Sequence, residues 1–291
     1  MASVKTSDRV AGIKRVALAL VFLCNSVALA QASKPKHAHI SLISDQTAMT
    51  GSGAQWVGLR FQLDPGWHIY WTNPGDSGEP PTIAWQLPTG FEAGDLQFPV
   101  PHRIRDHGLT DYGYEGDVVL LSKLTLPAGA TSNKAEIGAD VKYLVCREVC
   151  VPGKDHVSLS LSSGQSAKSS ADVELMRGAH ARLPQPLPSG VWVSAVLRGD
   201  GITIAVAGRN RNLAEITDFI PGDTQVIENS ATPILENSSG VRRIRMKKSE
   251  QLDHPAARLR GLLIAGDKAY NVDVPITSPN SALKSAAPKH S

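Results

Sequence analysis

A chain of 291 residues with 42% hydrophobic content has the material for two ordinary cores. Its 25 glycines and 19 prolines, scattered throughout, argue against long helices and for short strands joined by turns. The formal charge of +3 resides entirely in residues 1–30, where Lys5, Arg9, Lys14 and Arg15 stand against Asp8 alone. A chain without that segment is near neutral and offers no electrostatic ground for binding nucleic acid.

Residues 1–30 have the pattern of a secretory signal: the four basic side chains, an apolar run from Val16 to Leu23, and small residues at Ala28-Leu29-Ala30, with Ala30-Gln31-Ala32 as a second cleavage choice. The apolar run is too short for a lasting membrane span, and no later run is long enough for one. Leu23 before Cys24 makes a poor lipoprotein signal. Cleavage removes Cys24 and leaves Cys146 and Cys150, which in an exported protein are expected to be oxidised or poised for it.

Alternation predicts strands over His37–Thr47, Trp56–Asp64, Trp67–Trp71, Thr82–Trp85, Asp117–Leu126, Glu136–Cys146 and Val157–Leu161. In the aromatic strand, Trp67, Ile69 and Trp71 share one face, read as core. His68 and Tyr70 share the other, with His68 read as a surface residue. Asn73-Pro74-Gly75-Asp76-Ser77-Gly78 is dense with turn formers and predicts the end of that strand. No helical crossover pattern separates these strands, so they predict a sandwich over 37–162, not a parallel sheet. A Ser/Gly/Lys/Gln-rich linker follows, then a short helix over Ala171–Leu183, together spanning 163–189. Further strands from Val191 to Ile276 predict a second, smaller sandwich over 190–276, and 277–291 read as a disordered tail. The fold class is thus all-β, with two immunoglobulin-like sandwiches after a cleaved signal. Arg242, Arg243, Arg245, Lys247 and Lys248 form a basic strand region, read as an edge protected by charge.

The chemistry converges on Tyr143 to Gly153. A strand ending at Cys146, three intervening residues and a returning Cys150 place the two cysteines face to face if the segment is a tight hairpin, with Pro152-Gly153 then turning the chain away. Closing a loop of about five residues contributes only about 2 kcal/mol before strain. So small a ring is a weak staple and an easily reduced one. Spacing alone leaves a structural and a redox-active disulfide evenly matched. Arg147 would favour a thiolate and Glu148 would oppose it. Zinc is a poorer reading, because His156 could add one ligand but no second Cys/His pair lies near.

Four motifs occur together and in order: Gly66 to Trp71, Asn73 to Gly78, Tyr112-Gly113-Tyr114-Glu115-Gly116, and Leu144-Val145-Cys146 through Cys150-Val151-Pro152-Gly153. The chain resembles here the periplasmic N-terminal domain of the thiol:disulfide interchange protein DsbD, in its suppressor-of-copper-sensitivity (ScsB-like) branch. That resemblance implies an immunoglobulin-like domain in the periplasm whose cysteine pair passes electrons to thioredoxin-fold proteins. It gives Cys146 and Cys150 the place of the exchanging thiols and Tyr70 that of an active-site aromatic. Asp111, Tyr112, Tyr114 and Glu115 fall where the family has a cap over the thiols, with Asp111 and Glu115 the candidates for adjusting thiol pKa. The gap of three residues between the cysteines is shorter than in well-characterised members. The sequence holds neither the membrane domain nor the thioredoxin-like domain of the full-length family. The expected electron source is therefore a separately encoded membrane reductase, and no cofactor or metal is expected. The rival reading is a non-catalytic periplasmic binding module, for copper or a protein partner, with a structural disulfide.

Overall fold

The computed structural model describes residues 36–49, 53–126, 134–163, 168–208, 215–238, 240–252 and 256–278. The expected signal segment with Cys24, and the tail beyond 278, lie outside the described residues. The first half contains β1 (Ala38–Ser44), β2 (Ala48–Met49), β3 (Gly53–Leu63), β4 (His68–Gly75), β5 (Thr82–Gln86), β6 (Glu92–Ala93), β7 (His102–Asp106), β8 (Leu109–Glu115), β9 (Asp117–Leu126), β10 (Lys134–Cys146) and β11 (Cys150–Ser163). After α1 (Val173–Ala181) come β12 (Val191–Arg198), β13 (Gly201–Gly208), β14 (Ile216–Pro221), β15 (Ile234–Ser238), β16 (Val241–Lys247), β17 (Arg258–Ala265) and β18 (Lys268–Thr277). The fold is all-β with immunoglobulin-like sandwiches.

In the first half a sheet ordered β1-β3-β9-β6 faces one ordered β2-β11-β10-β4-β8-β7, with β5 on β10. Leu59, Phe61 and Leu120 from one sheet meet Ile69, Trp71, Ile137 and Val141 from the other. The unbroken apolar run Val118-Val119-Leu120-Leu121 has a reason in the packing, since β9 is covered on both faces. Val118 and Leu120 enter this core, while Val119 and Leu121 meet Met176 and Ala179 of α1 on the outside. Gly58 permits that approach, because a Cβ there would stand 2.7 Å from the Met176 sulfur.

The second half is one seven-stranded sheet, β14-β17-β18-β12-β13-β16-β15, whose inward residues Phe219, Ile204, Ile244 and Leu263 share a second core. The two halves are not independent. Ile220, Leu262 and Ala269 belong to the first core. Beside them, Arg103 on β7 donates to both Asp218 carboxylate oxygens at 2.9 and 3.0 Å and to the Phe219 carbonyl at 2.8 Å.

Two local expectations differ from the structure. Strand β4 continues through Asn73-Pro74-Gly75, accommodating the turn formers by a register irregularity between Tyr70 and Gly75. Strand β11 starts at Cys150, not Val157, and runs straight through Pro152-Gly153 in register with Leu144 and Tyr143. Cys146 and Cys150 have Cα atoms 4.1 Å apart, the spacing of a non-hydrogen-bonded pair. Two positions on, Pro152 is again at such a site, so its missing N–H costs the ladder nothing. Gly153 is needed for space: the Tyr143 ring lies over it, and a Cβ would come within 2.1 Å of that ring.

Candidate active site

Cys146 and Cys150 are joined by a disulfide at the mouth of the β10–β11 hairpin. The loop they enclose, Arg147-Glu148-Val149, is exposed and closed by an Arg147 N–H donating to the Val149 carbonyl at 3.2 Å. The two cysteines are not equivalent in their exposure to solvent. Cys146 is 2% exposed, whereas Cys150 is exposed, beside Val149, which is 65% exposed. The Arg147 guanidinium lies over the Trp67 ring at 5.4 Å, and His37 stacks on the same ring with centroids 3.6 Å apart.

Strand register builds the rest. Cys146 pairs with Cys150 on one side and with His68 on the other, and His68 pairs in turn with Glu115. Directly opposed residues project from the same face of a sheet, so Cys150, Cys146, His68 and Glu115 form a transverse row. Tyr70, two residues along β4, stands on that same face. Its hydroxyl lies 3.7 Å from the Cys150 sulfur, 3.3 Å from His68 Nε2 and 3.4 Å from Ser77 Oγ. Asp111 completes the cluster, accepting from the Ser77 N–H at 2.9 Å and the Ser77 hydroxyl at 2.7 Å, with Oδ2 4.0 Å from His68 Nε2.

Burial sets the protonation of these groups. It pushes the His68 imidazole below its ordinary value, against the opposing attraction of Asp111, Glu115 and Asp106. It raises the Tyr70 hydroxyl, an effect that the Ser77 bond opposes and Asp111 reinforces. Both groups are therefore neutral near pH 7.

The turn after β4 holds this arrangement closed. Gly78 passes over the Tyr70 ring, with room for no side chain: a Cβ would meet the ring at 2.1 Å, and its φ of +77° already favours glycine. Asp76 is bound to both the Thr110 N–H and the Asn229 amide, and the Asn73 amide donates to the Pro221 carbonyl at 2.8 Å.

Of the residues singled out from the sequence, the structure brings Cys146, Cys150, Tyr70 and Asp111 together, with Glu115 at the exposed end of the row. Tyr112 and Tyr114 project from the opposite face of β8 into the first core. Their hydroxyls donate to Asn229 and to the Pro99 carbonyl, respectively. His68, read from the sequence as a surface residue, is 6% exposed. Ser77 carries no site signal in the sequence. The alternation that put His68 beside Tyr70 was the available signal for the first; nothing local pointed to the second.

Comparisons with known proteins fit this geometry. None of the curated proteins is detectably similar to the chain. Among solved structures, the crystal structure of the N-terminal periplasmic domain of ScsB from Proteus mirabilis matches with a TM-score of 0.59. The match has 19% identity and covers 82% of this chain and 92% of that one. The family model described as thiol:disulfide interchange protein DsbD, N-terminal, matches residues 41–162, which span the disulfide hairpin, the aromatic strand and the turn above it. Residues 41–162 are thus a DsbD N-terminal-like domain.

Proposed function

We propose that this protein is a periplasmic thiol–disulfide exchange component that relays electrons from a separately encoded membrane reductase to thioredoxin-fold proteins through Cys146 and Cys150. One observation carries the reading: in a DsbD N-terminal-like domain, an exposed cysteine is bonded to a buried one within a ring too small to act as a major staple. Periplasmic placement is supported by the export pattern of residues 1–30 and by the similarity to a periplasmic domain. No described helix is long and apolar enough to cross a membrane.

The difference in access orders the steps. With both cysteines reduced, the Cys150 thiolate attacks one sulfur of a partner disulfide and expels the other as a thiolate, which takes up a proton. The Cys146 thiol then gives up its proton and, as a thiolate, attacks Cys150 in the mixed disulfide and frees the partner's second sulfur, which is protonated in its turn. Two electrons and two protons pass to the partner, and the Cys146–Cys150 bond is restored. Tyr70 screens the Cys150 sulfur from one side, while Asp111 fixes the Ser77 turn above it. Trapping tests this order. Cys146→Ser, mixed with an oxidised thioredoxin-fold protein, accumulates a mixed disulfide through Cys150, and Cys150→Ser accumulates none. Failure of the first variant to form any adduct would overturn the reading.

A further inference from the structure

The cluster beneath Cys150 contains more than exchange between two sulfurs requires, and its buried member is a base. We propose that His68 accepts the proton that Cys150 gives up, acting through the Tyr70 hydroxyl, so that the reduced pair presents a Cys150 thiolate at neutral pH. This rests on the exchange reading above.

The contacts define a path. Cys150 Sγ lies 3.7 Å from the Tyr70 hydroxyl, which lies 3.3 Å from His68 Nε2. The third neighbour of that hydroxyl, Ser77, has its own proton committed to Asp111 at 2.7 Å, so it can only accept from Tyr70. In the oxidised pair, Cys150 is a weak acceptor and the contact with Tyr70 is long. A thiolate at the same position would be a charged acceptor facing a preplaced O–H donor. In the reduced protein, the thiol proton passes to the Tyr70 oxygen as the phenolic proton passes to Nε2. The result is a thiolate, an unchanged tyrosine and an imidazolium, and no bond between heavy atoms changes.

Acids around His68 offset part of the burial penalty on its imidazolium. From β8, Asp111 Oδ2 stands 4.0 Å away and Glu115 lies directly opposite; Asp106 of β7 contributes more weakly. From β10 and β11, the facing groups are the two cysteines. The loop cation Arg147 is engaged over Trp67, whose ring belongs to the core on the other face of β4. Burial keeps the resting imidazole neutral and able to accept, and the acids stabilise it once charged.

The test needs no partner protein. In a Cys146→Ser background with Cys150 as the remaining mature cysteine, the rate of iodoacetamide alkylation is followed from pH 5 to 10. The parent should show a thiol pKa clearly below the ordinary thiol value. His68→Gln, which lacks a basic nitrogen, should raise it by about one unit and slow alkylation at pH 6.5 about tenfold. Tyr70→Phe, which removes the O–H donor that links the thiolate to the imidazolium, should raise it as well. An unchanged profile in folded His68→Gln overturns the proposal; should that variant not fold, an unchanged profile in Tyr70→Phe does so. Mixed-disulfide trapping on the same proteins separates the two readings. A His68-dependent thiol pKa without any adduct would sink exchange and leave the proton path standing, and adducts with a His68-independent pKa would do the reverse.

Discussion

Cys146 and Cys150 differ in exposure, and under the proposed exchange they should differ in reactivity. After reduction, Cys150 should alkylate at least tenfold faster than Cys146, as peptide mapping after brief labelling would show. Equal labelling would contradict the order of attack argued above. Tyr70 illustrates a second residue-scale constraint, since its ring fills the space that a side chain at position 78 would need. Gly78→Ala must displace the ring or the turn, at a cost of about 2 kcal/mol from overpacking and a left-handed backbone position. Because that ring carries the hydroxyl beside Cys150, the variant should also change Cys150 reactivity, measured by the same labelling. At this scale the sequence was partly readable. Alternation separated Trp67, Ile69 and Trp71 from His68 and Tyr70 correctly. It could not show that the second face is buried as well, because the cover comes from the turn at Ser77–Gly78 folding back.

At the level of elements, the β10–β11 hairpin is the longest pairing in the first half, and it runs unbroken from Cys146↔Cys150 to Lys134↔Ser162. Pro152-Gly153 read from the sequence as a turn because both residues usually punctuate a chain. Their compatibility with a strand depends on features that no local window contains: which edge Pro152 faces, and where the Tyr143 ring lies. Gly153→Ala tests this account. It should cost about 2 kcal/mol or more by pushing the Tyr143 ring aside, visible as a lowered denaturant midpoint. The displaced ring would also lose the 2.8 Å bond from its hydroxyl to Asp155.

Across the whole molecule, the seven-stranded sheet of the second half braces the turn above the site in the first. Arg103, with its side chain 12% exposed, reaches Asp218, which is 25% exposed, and also donates to the Tyr112 hydroxyl at 3.1 Å. Removing one member of so enclosed a pair leaves the other short of partners. Arg103→Ala should therefore destabilise by about 3 kcal/mol, at the lower end for buried pairs because Asp218 can recover some water. Tyr112 makes the same seam sensitive to alkali. Burial pushes its hydroxyl up to about 12, the neighbouring Arg103 opposing, against about 10 in an unfolded chain. The folded state thus holds the Tyr112 proton more tightly, and its contribution is complete below pH 10 and lost as pH rises toward 12. Urea titrations at stepped pH should show this loss in the parent and a smaller one in Tyr112→Phe. None of these long-range pairings was legible in the sequence: Arg103 and Asp218 are 115 positions apart, and neither stands in a local pattern that names its partner. What composition and alternation could convey was the existence of two β-halves, not their interlock.

His37 and Arg147 both pack against the Trp67 ring, and Arg147 is the first residue of the loop that the disulfide closes. Opening the ring frees that loop and alters what lies over the indole, so the emission of Trp67 should follow the oxidation state. A difference spectrum against Trp67→Phe would isolate it from the other four tryptophans. The molecule in this way carries its own optical gauge, by which a titration against a thiol buffer could be followed without any added dye.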